Sequence, residues 1–186
     1  MQVLLIRHAI AEDREVFREQ THLDDSERPL TSKGRTKMKK AARGLRNCAG
    51  QVHVLATSPL VRAVATARIV SKRCAYPFPT EVEALSPDRD PREFLAWLAR
   101  SRPAPVEPSG GHEDPGEGRA DSMIIAAVGH EPHLSRFIGW SVTGRDDPLG
   151  TLKKGGACML RFDQEVAAGA AAIEWLLQAG QLRRLG

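Results

Sequence analysis

Four residues in this chain have the types and settings needed to handle a phosphoryl group. Arg7 and His8 follow directly on the apolar run Val3 to Ile6 in LLIRHA, Arg62 lies in TSPLVRAVATA, and His130 lies in AAVGHEPHLS. A guanidinium fork grips phosphoryl oxygens in bidentate fashion. A neutral imidazole attacks phosphorus, and a second imidazole, protonated, stabilises charge on the equatorial oxygens. Two arginines and two histidines can do this without a metal, so no metal and no cofactor is expected. Cys48, Cys74 and Cys158 are odd in number, far apart and without C-x-x-C spacing. They form neither a disulfide framework nor a zinc site, and read as small buried hydrophobes.

Each of the four has an ordinary explanation when taken alone. Arg-His at a strand end is commonly a surface pair, SPxxR is a helix start with a solvated arginine, and GH before a helix is a turn. Their joint placement at the ends of three different strands reverses those odds. The other histidines keep the ordinary reading. His22 and His112 lie in polar loops, His53 begins a strand, and His133 is one turn into a helix.

The elements that must position these residues follow from the apolar pattern. Strands are predicted at Val3–Ile6, Val52–Ala56, Met123–Val128, Cys158–Phe162 and Ala172–Leu176, with a short edge near Thr80–Val82. Thr31 is a suitable N-cap for a helix over 32–47, with Met38, Ala41, Ala42 and Leu45 along one face. Ser58 and Pro59 read as the N-cap and first-turn proline of a helix over 59–73. Asp90-Pro91-Arg92-Glu93 resembles a capping box opening a helix over 91–100, and Pro132 opens another. Strands alternating with amphipathic helices predict an α/β fold: a three-layer α/β/α sandwich with a mostly parallel central sheet. Ligands of such sheets bind beyond the carboxyl ends of the strands. The first strand delivers Arg7 and His8 there, the second Arg62, and the strand at 123–128 His130, with few carboxylates at those points. Two stretches interrupt the alternation. Residues 11–30 are polar and charged, and residues 101–122 are rich in Pro, Gly and acid, which predicts a mobile loop.

Composition narrows the function classes. At 186 residues, 41% hydrophobic and 27% charged, the chain fits a single domain over 1–186. No apolar run approaches the length of a membrane span, and the residues before the first strand show no basic n-region, long apolar stretch or small-residue cleavage site, so no signal peptide is expected. No membrane partner is expected, and the cysteine usage suits the cytoplasm. The net charge of +4 suits an anionic substrate as well as it suits nucleic acid. The densest basic run, Lys37, Lys39 and Lys40, falls on a solvated helix face. The few aromatics are not interleaved with basic residues as a base-stacking platform requires, so no nucleic-acid partner is expected.

At these residues the sequence resembles the histidine phosphatase superfamily, whose fold is phosphoglycerate mutase-like. The family's Arg-His-Gly signature corresponds to Arg7, His8 and Ala9, with alanine in the glycine place. Its second arginine corresponds to Arg62 and its second histidine to His130. RPLTSKG at 28–34 resembles the family's helix-opening segment. Within the superfamily the chain is most similar to SixA-type phosphohistidine phosphatases, by MQVLLIRHA, RPLTSKG, its length and the lack of a large insertion for a sugar substrate. That likeness implies that Arg28 approaches the phosphate.

The superfamily's mutases and general phosphatases carry a catalytic acid where this chain has Ser86 and Pro87, in EALSPDRDPREF; Glu83 and Asp88 are near but out of place. An alkoxide needs a proton to leave, whereas the imidazole of phosphohistidine leaves readily once protonated. The missing acid therefore points to a P–N substrate. The resemblance implies a metal-independent phosphatase, a monomer, that removes phosphate from phosphohistidine on a signalling protein through its own phosphohistidine intermediate. Two alternatives stay open. One is a general phosphomonoesterase for small phosphorylated substrates, with Asp88 or Glu83 as proton donor. The other is a non-catalytic phospho-binding regulatory module.

Overall fold

The structure is a computed structural model, and it describes residues 1–101 and 123–186. The predicted loop at 101–122 falls, but for Ser101, outside the described residues, as does His112.

The first apolar run forms strand β1 (Gln2–Arg7), and its four central residues are fully buried. Burial on both faces explains why the run is continuous rather than alternating. Leu4 and Ile6 face one core, and Val3 and Leu5 face the other. The further strands are β2 (Val54–Thr57), β3 (Thr80–Glu81), β4 (Ile124–Gly129), β5 (Ala157–Phe162) and β6 (Ala171–Leu177). They form one six-stranded sheet in the order β3-β2-β4-β1-β5-β6. The pairings β2 with β3, β2 with β4 and β1 with β4 are parallel. Strand β5 pairs antiparallel with both β1 and β6, so it alone runs against the rest.

Helices cover both faces, giving the three-layer sandwich that the alternation predicts. One face carries α2 (Ser32–Ala49) and α3 (Val61–Cys74), while α4 (Pro91–Ser101) and α5 (His133–Thr143) pack on the other. A short C-terminal helix, α6 (Ala179–Leu182), packs beside α2. On the α4/α5 side Phe94 and Phe137 meet with ring centroids 5.0 Å apart, both wholly buried. Truncating either to alanine would cost about 3–5 kcal/mol. Cys74 and Cys158 are buried, and burial pushes their thiols up to about 11 and about 12. They remain protonated and inert.

Two helix starts differ from expectation. Thr31 caps α2 as predicted, its hydroxyl accepting from the Gly34 N–H at 2.8 Å. Ser58 does not cap α3, which begins at Val61 after Leu60, and its hydroxyl is used elsewhere. At α4 Asp90 accepts from the Arg92 N–H at 2.9 Å. The Glu93 carboxylate, which would complete a capping box, instead lies 4.0 Å from Arg89. The polar excursion at 11–30 contains an unexpected helix, α1 (Arg14–Thr21), which buries no residue. Asp13 caps it, accepting from the Glu15 and Val16 N–H groups.

Candidate active site

Strand β1 ends where its backbone is held from both sides. The His8 N–H donates to the Gly129 carbonyl at the end of β4, and the Arg7 N–H to Gly156. Gly155 returns its N–H to the carbonyls of Arg7 and His8, at 3.1 Å each. Its φ of 78° lies in the left-handed region, which glycine enters without a Cβ clash. Gly34 is required for a different reason. A Cβ there would stand 2.0 Å from the Ile10 carbonyl oxygen, so only glycine lets α2 pack this close to the segment after His8.

The five residues singled out from sequence line one cavity of about 430 Å³: Arg7, His8, Arg28, Arg62 and His130. His8, Arg62 and His130 are each at most 5% exposed. The two imidazoles lie with centroids 5.0 Å apart, their planes inclined by 49°. His8 Nδ1 is 2.7 Å from the Ala9 carbonyl oxygen. A carbonyl only accepts, so Nδ1 carries the proton and Nε2 keeps its lone pair. The Ala9 N–H donates to the Thr66 hydroxyl, which donates to the Arg62 carbonyl, and this links His8's neighbour to the helix carrying Arg62.

His130 Nε2 is 2.8 Å from the Ser58 hydroxyl. With that hydroxyl donating to Nε2, the proton of His130 sits on Nδ1. The Nδ1 atom of His130, the Nε of Arg7 and the Nε of Arg62 are all buried without a protein partner. They are three of only seven such atoms among the described residues, and all three belong to residues lining this cavity. Unpaired buried polar atoms are costly, and three residues that carry one share the wall of this cavity, which suits an anion with several acceptor oxygens.

Both imidazoles are neutral in the protein by itself. Burial, with the charges of Arg62 and Arg7 adding to it, pushes His8 down to about 3. Burial and the neighbouring His8 and Arg62 push His130 down to about 2. A neutral His8 suits a nucleophile. The protonated second imidazole expected from sequence is disfavoured by burial and by the surrounding positive charge, which a negative charge placed beside it would offset.

Carboxylates are less sparse here than the strand ends suggested, since Glu12, Asp13 and Glu131 also line the cavity. Glu131 accepts from the Leu152 and Ser135 N–H groups; burial lowers Arg7 below its ordinary value, and the Glu131 charge only partly offsets this. Arg7 Nη1 in turn donates to the Leu152 carbonyl at 2.6 Å.

Asp25, just behind the cavity, was not singled out from sequence. Its carboxylate lies 3.0 Å from Arg62, 2.8 Å from Arg28 and 3.0 Å from Arg14. Arg62 also donates through Nη1 to the Asp25 carbonyl at 2.7 Å. Each Nη of Arg62 thereby has one acceptor and keeps a second hydrogen, while Nε has no protein partner. Burial would raise the Asp25 carboxyl, but the hydrogen bond from Arg28 and the charges of Arg62 and Arg14 outweigh it, and the group is held below its ordinary range. Arg28 lines the cavity as a buried residue whose Nη1 donates to the Glu12 carbonyl.

Neither Asp88 nor Glu83 lines the cavity; of that stretch only Pro87 does, and Glu83 accepts from the Ser86 hydroxyl at 3.3 Å. No group of three or more His, Cys, Asp or Glu among the described residues is arranged to hold a metal ion, and no described helix is long and apolar enough to cross a membrane.

Comparison with known proteins gives concordant results. Residues 3–86 match the histidine phosphatase superfamily (branch 1). An uncharacterized protein of Picosynechococcus sp. (strain PCC 7002) is 33% identical over 174 residues, covering 94% of this chain and 89% of that protein. Among solved structures, the protein histidine phosphatase SixA complexed with tungstate superposes with a TM-score of 0.74 at 20% identity, covering 98% of this chain and 99% of the other. A Nakamurella multipartitia chain, whose phosphohistidine phosphatase SixA assignment is provisional, superposes with a TM-score of 0.67 at 22% identity, covering 95% of each chain. At these identities the superpositions establish a shared fold, the phosphoglycerate mutase-like one.

Proposed function

The chain belongs to the histidine phosphatase superfamily, and from that premise we propose that it is a phosphohistidine phosphatase with His8 as nucleophile. The observation that carries this reading is that His8 shares one cavity wall with Arg7, Arg62 and His130, each of which has a buried side-chain nitrogen without a protein partner.

The reaction has two steps. His8 Nε2 attacks phosphorus in line, a P–N bond forms, and the substrate's P–N bond breaks with its electron pair passing to the substrate imidazole. His8 keeps its Nδ1 proton throughout, shared with the Ala9 carbonyl, so the intermediate is a phosphoimidazolium. Water then attacks phosphorus, the electron pair returns to Nε2, and the water's proton passes to phosphate or solvent. Arg7, Arg62 and His130 hold the equatorial oxygens in both steps, with Arg28 assisting.

Because substrate and intermediate are both phosphoimidazoles, the first transfer is close to thermoneutral and needs no acid beyond the proton already on the leaving imidazole. The absence of Asp88 and Glu83 from the cavity supports this choice over an alkyl phosphate. A second reading, a phosphomonoesterase for small phosphoesters, draws its support from Glu12 and Asp13 in the cavity wall, either of which could protonate an alkoxide.

A protein phosphorylated on histidine with phosphoramidate, and an alkyl phosphate such as phosphoserine, whose alkoxide needs a proton to leave, separate the two. The expected result is fast phosphate release from the phosphoprotein, an acid-labile phosphate on His8, slow turnover of the ester, and loss of activity by about a thousandfold or more in His8→Ala. Near-normal hydrolysis by His8→Ala would overturn the mechanism, and a strong preference for the ester would favour the second reading.

A further inference from the structure

A second concavity opens beside the phosphate cavity and shares Arg7 and Lys154 with it. This groove, of about 700 Å³, runs between the start of α2, the loop before β5 and α6. Lys37, Lys153, Lys154, Arg183 and Arg184 line it together with Arg7, and no Asp or Glu does. None of those first five forms an ion pair among the described residues. Its floor is apolar, built from Met38, Ala41 and Ala9, which are nearly inaccessible. Burial and the nearby Arg7 and Arg28 depress Lys154 despite the opposing charge of Asp13, as expected where positive charge is crowded.

From this arrangement we infer that the groove is a second anionic subsite, which receives an acidic flank of the polypeptide segment carrying the phosphohistidine. The inference rests on the phosphohistidine reading above and names the substrate feature selected beside the phosphoryl group. Charge complementarity and continuity argue for it. A chain whose phosphorylated side chain sits against His8 has an exit past Arg7 and Lys154, and the groove begins there. Its length and its apolar floor suit a stretch of chain with side chains on both faces. Its six cations come from four parts of the chain, β1, α2, the loop before β5 and the end of α6, and four of the six are outside the shared wall. A second phosphoryl group would instead call for guanidinium forks converging on one point. Dispersed lysines and arginines match carboxylates spaced along a peptide, and they select by charge more than by shape.

Three substrates test the inference: phosphoimidazole, a phosphohistidine peptide with Asp and Glu flanking the modified residue, and the same peptide with Asn and Gln in those places. The wild type is expected to show a kcat/KM about tenfold higher for the acidic peptide than for its amide counterpart, fading as salt is raised. The triple variant Lys37→Gln, Lys153→Gln, Arg184→Gln should erase that preference while turning over phosphoimidazole at the wild-type rate, which also reports an intact fold. Equal kcat/KM for the two peptides in the wild type, or a preference that survives in the triple variant, would overturn the inference.

Binding of the unphosphorylated acidic peptide, followed by calorimetry, reads the groove independently of chemistry. Weaker binding by the triple variant supports it even if none of the three substrates is hydrolysed, an outcome that would instead remove the phosphohistidine reading. No binding to either protein, or displacement by stoichiometric pyrophosphate with no effect of the peptide's charge, would mark a small-anion subsite and end the proposal.

Discussion

His8, Arg62 and His130 stand on strand ends and the first turn of α3, whereas Arg14, Asp25 and Arg28 reach the same site from the excursion at 11–30. The first group is buried on a sheet whose strands are covered on both faces. The second belongs to a segment whose helix, α1, buries nothing. Side chains fixed by a packed sheet hold reacting atoms to within fractions of an ångström, and a loop does not. A loop can still supply charge, and here it does so through Asp25, which gathers three arginines. The scaffold wall thus sets geometry, and the excursion sets the electrostatic balance around it.

If that division holds, the largest effect short of losing the nucleophile comes from the scaffold wall. On the proposed mechanism Arg62→Ala removes a donor to the phosphoryl oxygens, and it leaves Asp25 without one of its partners. Removing one such positioned donor costs about 3–4 kcal/mol of transition-state stabilisation, roughly a hundred- to a thousandfold in kcat. Single-turnover measurement of His8 phosphorylation would check it. A fall of only a few fold would place Arg62 with the excursion rather than the scaffold.

Next comes a cost to folding of building the site from buried neutral imidazoles. Burial first, then nearby arginines, lowers His8 to about 3 and His130 to about 2, and burial with Arg136 lowers His133 to about 4 against Asp90 and Asp88. The unfolded chain binds these protons near pH 6.5, while the folded chain does not until pH 4 or below. The unfolded state is therefore favoured progressively as pH falls below about 6.5, and stability rises with pH across that window. Each imidazole contributes about 2 kcal/mol of lost stability at pH 5 relative to pH 8. Urea midpoints at the two pH values would show it, and His133→Asn should lose less by the share of one imidazole. A pH-independent midpoint would mean that these rings are charged in the folded protein.

Asp25→Asn tests the other wall. The amide keeps the shape but removes the charge that orients Arg62 and Arg28, and kcat/KM on a phosphohistidine substrate is expected to fall about tenfold, in line with losing hydrogen bonds between charged groups. A rise would show that Asp25 competes with phosphate for the arginines, and the excursion would then act as a brake.

The same division explains what could be read without coordinates. Strand β1 and its Arg7–His8 terminus were legible because an apolar run has few destinations, and all six strands stand within about two residues of the predicted limits. Helix α1 was not, because a helix with no buried face carries no hydrophobic period, although Asp13 as its cap was a usable signal. Asp25 was invisible because its contact with Arg62 spans 37 residues, and nothing local distinguishes it from Asp24. Ser58 was visible but misread. Its place before a proline fits a cap, and only the tertiary approach of β4 shows the hydroxyl holding His130. The basic groove was scattered across residues 37, 153–154 and 183–184, and only the packing of α6 beside α2 assembles it.

The smallest effect is expected at Arg14, and it is the sharpest test of where the boundary between the walls runs. Arg14 contacts Asp25 at 3.0 and 3.3 Å, a geometry as good as that of its buried counterparts. Its side chain is 69% exposed, however, against 9% for Arg28 and 3% for Arg62. Solvent screens such a pair, and immobilising a long side chain offsets what attraction remains, so an exposed pair contributes about 0–1 kcal/mol. Asp25 also keeps Arg28 and Arg62 when Arg14 is removed. Arg14→Ala should therefore leave the melting temperature nearly unchanged and alter turnover by no more than about twofold at 0.15 M salt. A loss as large as that of Asp25→Asn would mean that α1 is held rigidly over the cavity by this contact, and the excursion would belong to the scaffold after all.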